Sequence, residues 1–296
     1  MSRLNIQFTL FSAFYSPLIS AMSGGFLKEE GIDYNWSVSP PGKSAVESIT
    51  NGSAEVIQTA LIQGLLDLEK GHVPEAINFA QINEMDGFFI SAREPDDRFD
   101  WRSLEGSEMV MFGGGQPNYM FRYACHKAGI DYDKIIPITP GGPADIDKAY
   151  RAGQGKYVQQ QGPFPQQLEA DGIGNVVASV GPKIGACAFS SLAASREWIE
   201  TDQARAFMRA YRKTRIYLNQ ESAVEIARAQ KSFFPDIELD ALTACIHSYQ
   251  KLGCWTPHAE ITQAAYEITL DVFSHAGVVN TRHPYNAVCC LPPDTE

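Results

Sequence analysis

The sequence predicts an α/β protein built as two lobes, each a mainly parallel sheet flanked by helices. Three observations carry that expectation. Strand-like and helix-like segments alternate from residue 4 to about residue 92, and the alternation restarts near residue 108. A polar stretch rich in Asp and Arg, 94–102, separates the two runs. From Arg196 onward the chain reads as almost wholly helical. Strand–helix alternation marks parallel sheets covered on both faces, and 296 residues suffice for two lobes of ordinary size.

The elements follow in order. Residues 4–11 alternate apolar and polar groups and read as a strand. A turn from Ser12 to Pro17 leads to a helix expected over about 18–30, with Gly31 as its C-terminal cap. Strands are expected at 32–38, 54–59, 77–81 and 88–92, with helices ending near Asn51 and covering 60–70. The second run gives a strand at 108–112, a Gly-rich turn, a helix at 117–128 and a strand at 134–139. A helix at 143–152, a strand at 156–161, a short helix at 163–170 and a strand at 176–180 complete it. Residues 186–192 are expected to cross back. Helices follow at about 202–219, 221–231, 238–251 and 259–276, the last with Ile261, Ala265, Ile268 and Val272 on one face. The predicted division is residues 1–92 plus 190–296 for the first lobe and 93–189 for the second. The hinge is expected near 90–95 and 186–192, and the helical tail on the first lobe. Two chain crossings of this kind favour closure around a ligand.

Composition narrows the function classes. The net charge of -11 speaks against nucleic acid and anionic membranes as partners. No apolar run approaches the roughly 18–20 residues of a membrane span. Cys125, Cys187, Cys245 and Cys254 are scattered and read as buried thiols. Cys289 and Cys290 are adjacent in a Pro-rich tail and cannot easily bridge each other. Neither CxxC nor HExxH spacing occurs, so no metal and no cofactor is assigned. The first residues, Met1 to Phe8, lack the regions of a secretory signal. Two locations follow: periplasmic or lipid-anchored if a leader was removed, cytoplasmic if Met1 is the native start.

Several local stretches share their order with a known family. They are Ser23-Gly-Gly-Phe-Leu-Lys-Glu-Glu-Gly-Ile-Asp33, Ile49-Thr-Asn-Gly-Ser-Ala-Glu55, Asp86-Gly-Phe-Phe-Ile90, Leu104-Glu-Gly106 and Tyr123-Ala-Cys-His-Lys-Ala-Gly-Ile-Asp131. The ordered set, over roughly residues 4–280, resembles the NMT1/THI5-like and SsuA/TauA-like solute-binding proteins. That resemblance implies a type II periplasmic-binding fold and a small polar ligand, bound either as the solute-binding component of an ABC importer, with a permease as partner, or as a cytosolic relative of such a protein. It also brings an alternative, an enzyme of the THI5-like pyrimidine synthase, decarboxylase or desulfinase type. In the pyrimidine synthases a histidine after the third strand is consumed and a Cys-rich run binds iron. Here Gln63 stands at the histidine position, and Gly185-Ala-Cys-Ala-Phe-Ser190 keeps one cysteine, so both motifs are lost.

Ligands of open α/β sheets bind outside the carboxyl ends of the strands. Applied strand by strand, the rule nominates Ser12, Phe14 and Tyr15, then Gln58 and Thr59, then Gln81. Phe14 and Tyr15 offer rings for a planar ligand, and Gln58 and Thr59 offer uncharged donors and acceptors. Lys43 could offset an anion but reads more simply as a solvated residue at a helix start. In the second lobe Gly113, Gly114, Gly115 and Gln116 form a loop that lets backbone N–H groups approach a ligand. The loop is neither a P-loop nor a dinucleotide fingerprint. Gln161 closes the set, and strand alternation puts Gln159 on its face and Gln160 on the other. A glutamine-lined cleft suits a neutral or zwitterionic ligand, with nitrogen-containing and aromatic molecules the candidate chemistries. No catalytic residue is assigned. Cys187 is the best nucleophile candidate for the alternative, with His126, Cys125, Asp86 and Glu84 as companions.

Overall fold

A computed structural model describes residues 3–294. The first lobe carries β1 (Leu4–Phe8), β2 (Tyr34–Val38), β3 (Val56–Thr59) and β4 (Ile77–Asn83). They are joined by α1 (Ser16–Ser23), α2 (Phe26–Glu29), α3 (Val46–Thr50) and α4 (Ile62–Glu69). The second lobe carries β5 (Phe88–Ala92), β6 (Glu108–Val110), β7 (Ile136–Ile138), β8 (Tyr157–Gln161) and β9 (Asn175–Ser179). Its helices are α5 (Gly115–Ala128), α6 (Pro143–Arg151), α7 (Phe164–Ala170) and α8 (Gly181–Ile184). β10 (Ser190–Ala194) returns to the first lobe. It is followed by α9 (Arg196–Ile199), α10 (Asp202–Gln220), α11 (Ala223–Gln230), α12 (Leu239–Leu252) and α13 (Gln263–His275).

The strand orders are β2-β1-β3-β10-β4 and β7-β6-β8-β5-β9. Each sheet has one reversed strand, β10 in the first and β5 in the second, antiparallel to both its neighbours. In each sheet that reversed strand is the one arriving from the other lobe. β1 buries Leu4, Ile6 and Phe8 and half-exposes the residues between, the period-2 pattern of a strand packed mainly on one face. β4, β5 and β10 are buried at every position, as strands covered on both faces must be.

The structure moves three features from their expected places. Phe88–Ala92 was expected in the first lobe but pairs with β8 and β9, so the first crossing falls at Glu84–Gly87 and the polar stretch 94–102 lies inside the second lobe. The single helix expected over 18–30 is two. Gly25, at φ +79°, breaks it in a conformation that L side chains rarely adopt. The C-terminal helices are not confined to the first lobe. α10 lies on α1 and α2, but α12 packs against α7 and α13 against α5, so both straddle the lobes.

One buried charge braces the first lobe. Arg215, fully buried on α10, donates to the carbonyls of Gln81, Ile82 and Thr256 and to the Thr256 hydroxyl. Carbonyl oxygens thus take the place of a carboxylate in satisfying the guanidinium.

Candidate functional site

The carboxyl ends of β1, β3 and β8 meet between the lobes, with the start of α5 and the return crossing beside them. They enclose a cavity of about 160 Å³. Five nominated residues line it: Tyr15, Gln58 and Thr59 from the first lobe, Gln116 and Gln161 from the second. Thr9, Leu10, Gln63, Pro117, Phe189 and Ser190 complete much of the wall. Among the described residues lining it, none carries an Asp, Glu, Lys, Arg or His side chain.

The first-lobe wall is held by its own hydrogen bonds. Gln58 Oε1 accepts from the backbone N–H groups of Thr9 and Leu10, at 3.0 and 3.2 Å. Gln58 Nε2 donates to Ser190 Oγ, which donates to the Thr59 carbonyl. Thr9 Oγ1 donates to the Gln58 carbonyl and accepts from Ala45 N. Thr59 Oγ1 remains buried with no partner among the described residues.

The second-lobe wall is different. Gln116 Nε2 donates to the Phe189 carbonyl at 2.6 Å, while its Oε1 is buried and unpartnered among the described residues. Gln161 hydrogen-bonds the Tyr15 hydroxyl across the cleft. Burial outweighs that bond and holds the Tyr15 phenol above its ordinary range, so it stays a neutral hydroxyl. Gly113, Gly114 and Gly115, the nominated backbone loop, are exposed at the start of α5 and do not line the cavity, and Gly115 adopts φ +71°. α5 begins at Gly115, so Pro117 is its third residue rather than its first.

The remaining nominated residues lie off the cavity. Ser12 Oγ donates to the Gly162 carbonyl at 2.6 Å and ties the lobes together. Gly162 N in turn donates to the hydroxyl of Tyr249 on α12, which donates to the Gly87 carbonyl. Phe14 is fully buried against Tyr15, Phe189 and Tyr249 and covers Gly87, where an added Cβ would lie 2.3 Å from its ring. It is a core residue, and the rings facing the cavity are Tyr15 and Phe189. Gln81 is also core: it donates to Thr256 Oγ1 and the His258 carbonyl, because the segment between α12 and α13 covers that end of β4. Lys43 is exposed and paired with Glu47. Gln159 is fully buried, with neither end of its amide partnered among the described residues.

The two candidate thiols are fully buried, which favours their protonated form. Burial pushes the Cys125 thiol up to about 12 and raises Cys187 further, with Asp86 adding to the latter shift. His126 lies on the exposed face of α5, stacked on His275 of α13 at 4.6 Å between centroids. Asp86, fully buried at the first crossing, accepts from Phe88 N with Oδ1. Its Oδ2 has no partner among the described residues, and burial raises the carboxyl to about 7. A larger surface hollow of about 1060 Å³ is lined only by first-lobe residues and the C-terminal tail. Its arginines are engaged: Arg196 with the Pro74 carbonyl, Arg205 with Asp202, Arg209 with Glu30. No helix is long and apolar enough to cross a membrane among the described residues.

Comparison with known proteins gives a consistent picture. The model of the NMT1-like family matches residues 10–230. A Bacillus subtilis protein, YtlA, whose name describes it as a binding protein, is 29% identical over 290 residues, covering 97% of this chain and 87% of its own. The alkanesulfonate-binding protein SsuA of Xanthomonas axonopodis pv. citri, solved bound to MOPS, superposes with a TM-score of 0.75 at 16% identity. That match covers 98% of this chain and 99% of SsuA. The periplasmic nitrate-binding protein NrtA of Synechocystis PCC 6803 superposes at 0.64 and 14% identity, covering 99% and 92%. The two structural matches establish the two-lobed periplasmic-binding fold.

Proposed function

The chain belongs to the NMT1-like family, and from that premise we propose that it binds one small, uncharged polar organic molecule between its lobes. In this reading it is the solute-binding component of an ABC importer and works outside the cytoplasmic membrane, in the periplasm or anchored to lipid.

The observation that carries the reading is the chemistry of the cavity. Four glutamines, three aliphatic hydroxyls and a neutral phenol line it, with no fixed charge among the described lining residues. Alkanesulfonate and nitrate, named for SsuA and NrtA, are anions whose burial calls for a cation or a dense set of N–H donors. The unpartnered Gln116 Oε1 instead calls for a ligand with an N–H or O–H group, and the Thr59 hydroxyl can donate to or accept from the same molecule. A volume near 160 Å³ matches roughly the ~150 Å³ cavity that accepts benzene. The ligand is therefore about one ring in size, with Tyr15 and Phe189 as apolar walls.

A thermal-shift screen tests this. Uncharged single-ring amides and pyrimidines should raise the melting temperature by mass action, whereas alkanesulfonates and nitrate should not. Micromolar binding of a sulfonate or nitrate, with no response to any neutral ring, would overturn the proposal.

A further inference from the structure

Beside the main cavity lies a second, smaller compartment of about 20 Å³, and the two share Leu10 and Gln161 as a common wall. Phe11, Phe112, Ile146 and Phe164 make most of its surface apolar. Three polar side chains interrupt that surface: Ser12, whose hydroxyl is spent on the Gly162 carbonyl, Gln161, which hydrogen-bonds Tyr15, and Gln160. Gln160, only 2% exposed, lines the compartment, and its Oε1 has no hydrogen-bond partner among the described residues. Its Nε2 makes one long contact, 3.4 Å to Asp147 Oδ1, and that carboxylate is already paired with Arg151.

We infer that the ligand's ring carries a small uncharged donor, an amino or hydroxyl group, which reaches past Leu10 and Gln161 and donates to Gln160 Oε1. The inference rests on the reading of the main cavity given above. Size supports it: a compartment of about 20 Å³ holds one water-sized group, since a water needs roughly 10–15 Å³ by this measure. Chemistry supports it as well. A buried acceptor without a donor is costly, and a methyl of the same size would fill the space but leave Gln160 Oε1 unpaired. An ammonium group is excluded by the apolar walls and by the prior claim of Arg151 on Asp147.

Calorimetry with three probes tests the idea: benzamide, 4-methylbenzamide and 4-aminobenzamide. On the unaltered protein 4-aminobenzamide should bind about tenfold tighter than 4-methylbenzamide. In Gln160→Met that ratio should fall to about one, with 4-methylbenzamide binding as before. Equal binding of the two on the unaltered protein overturns the inference, as does a preference that persists in Gln160→Met. The first comparison decides the matter even if the variant does not fold. If none of the three probes binds, the reading of the main cavity fails, and this inference with it.

Discussion

The two walls of the cleft are built from the same residue types and use them differently. On the first lobe Gln58 spends both ends of its amide on the protein, bracing the turn after β1 and the return crossing. On the second lobe the carbonyl oxygens of Gln116 and Gln160 have no partner among the described residues. The first-lobe wall is a hydrogen-bonded frame that leaves one buried hydroxyl, Thr59 Oγ1, without a partner among the described residues, whereas the second-lobe wall leaves amide oxygens so. On the reading proposed above, the first kind of glutamine builds the site and the second would meet the ligand, although the sequence alone shows three similar glutamines.

The largest expected effect concerns the first crossing, which belongs to neither wall. The Asp86 carboxyl is raised by burial from 3.8 to about 7 in the folded chain. Between pH about 4 and 7 the unfolded chain releases a proton that the folded chain retains, so stability falls as pH rises through that window. Asp86→Asn should remove this decline and stabilise the protein above pH 7 by on the order of a few kcal/mol. Urea unfolding at pH 5 and pH 8 checks it, and parallel curves for variant and wild type would show that Asp86 ionises normally.

Gln58→Leu comes next. It strips the acceptor from the Leu10 N–H and one of two acceptors from the Thr9 N–H, which keeps the Gln58 carbonyl, and should cost about 2–3 kcal/mol, lowering stability and ligand affinity together. Tyr249→Phe removes the hydroxyl shared by Gly162 and Gly87 and should cost about 1–2 kcal/mol. Gln116→Met should be the mildest for the fold, about 1 kcal/mol for the lost bond to Phe189, yet should weaken the ligand roughly tenfold. Chemical denaturation beside calorimetry separates the two quantities. The contrast between the walls breaks if Gln58→Leu and Gln116→Met show the same ratio of stability loss to affinity loss.

Much of the fold was legible because alternation and glycine punctuation are local signals. Gly31 closes the first helical region where expected, at φ +71°. The crossing was misplaced for a physical reason. Phe88–Ala92 is buried on both faces, and such a strand looks the same in either sheet. The polar stretch 94–102 resembled a linker but is a loop within one lobe. The rule about strand ends led to five residues that line one cavity, Tyr15, Gln58, Thr59, Gln116 and Gln161. It could not tell Phe14 from Tyr15, since which of two neighbours faces the core depends on Gly87, far along the chain. Nor could it foresee that the segment after α12 would cap β4 and withdraw Gln81. Gln63 was noted only for what it replaces, yet it lines the cavity because it sits in the first turn of α4.

The reversed strands have a mechanical consequence. β5 and β10 each enter the other lobe as an interior strand, hydrogen-bonded on both sides, rather than as a tether at its rim. Pulling the lobes apart would mean extracting a strand from the middle of a sheet. Torsion is thereby concentrated in the short segments 84–87 and 185–189, while α12 and α13 brace the joint from outside. A joint so constrained has few degrees of freedom. A partner that touched both lobes could read its state from little more than a single angle.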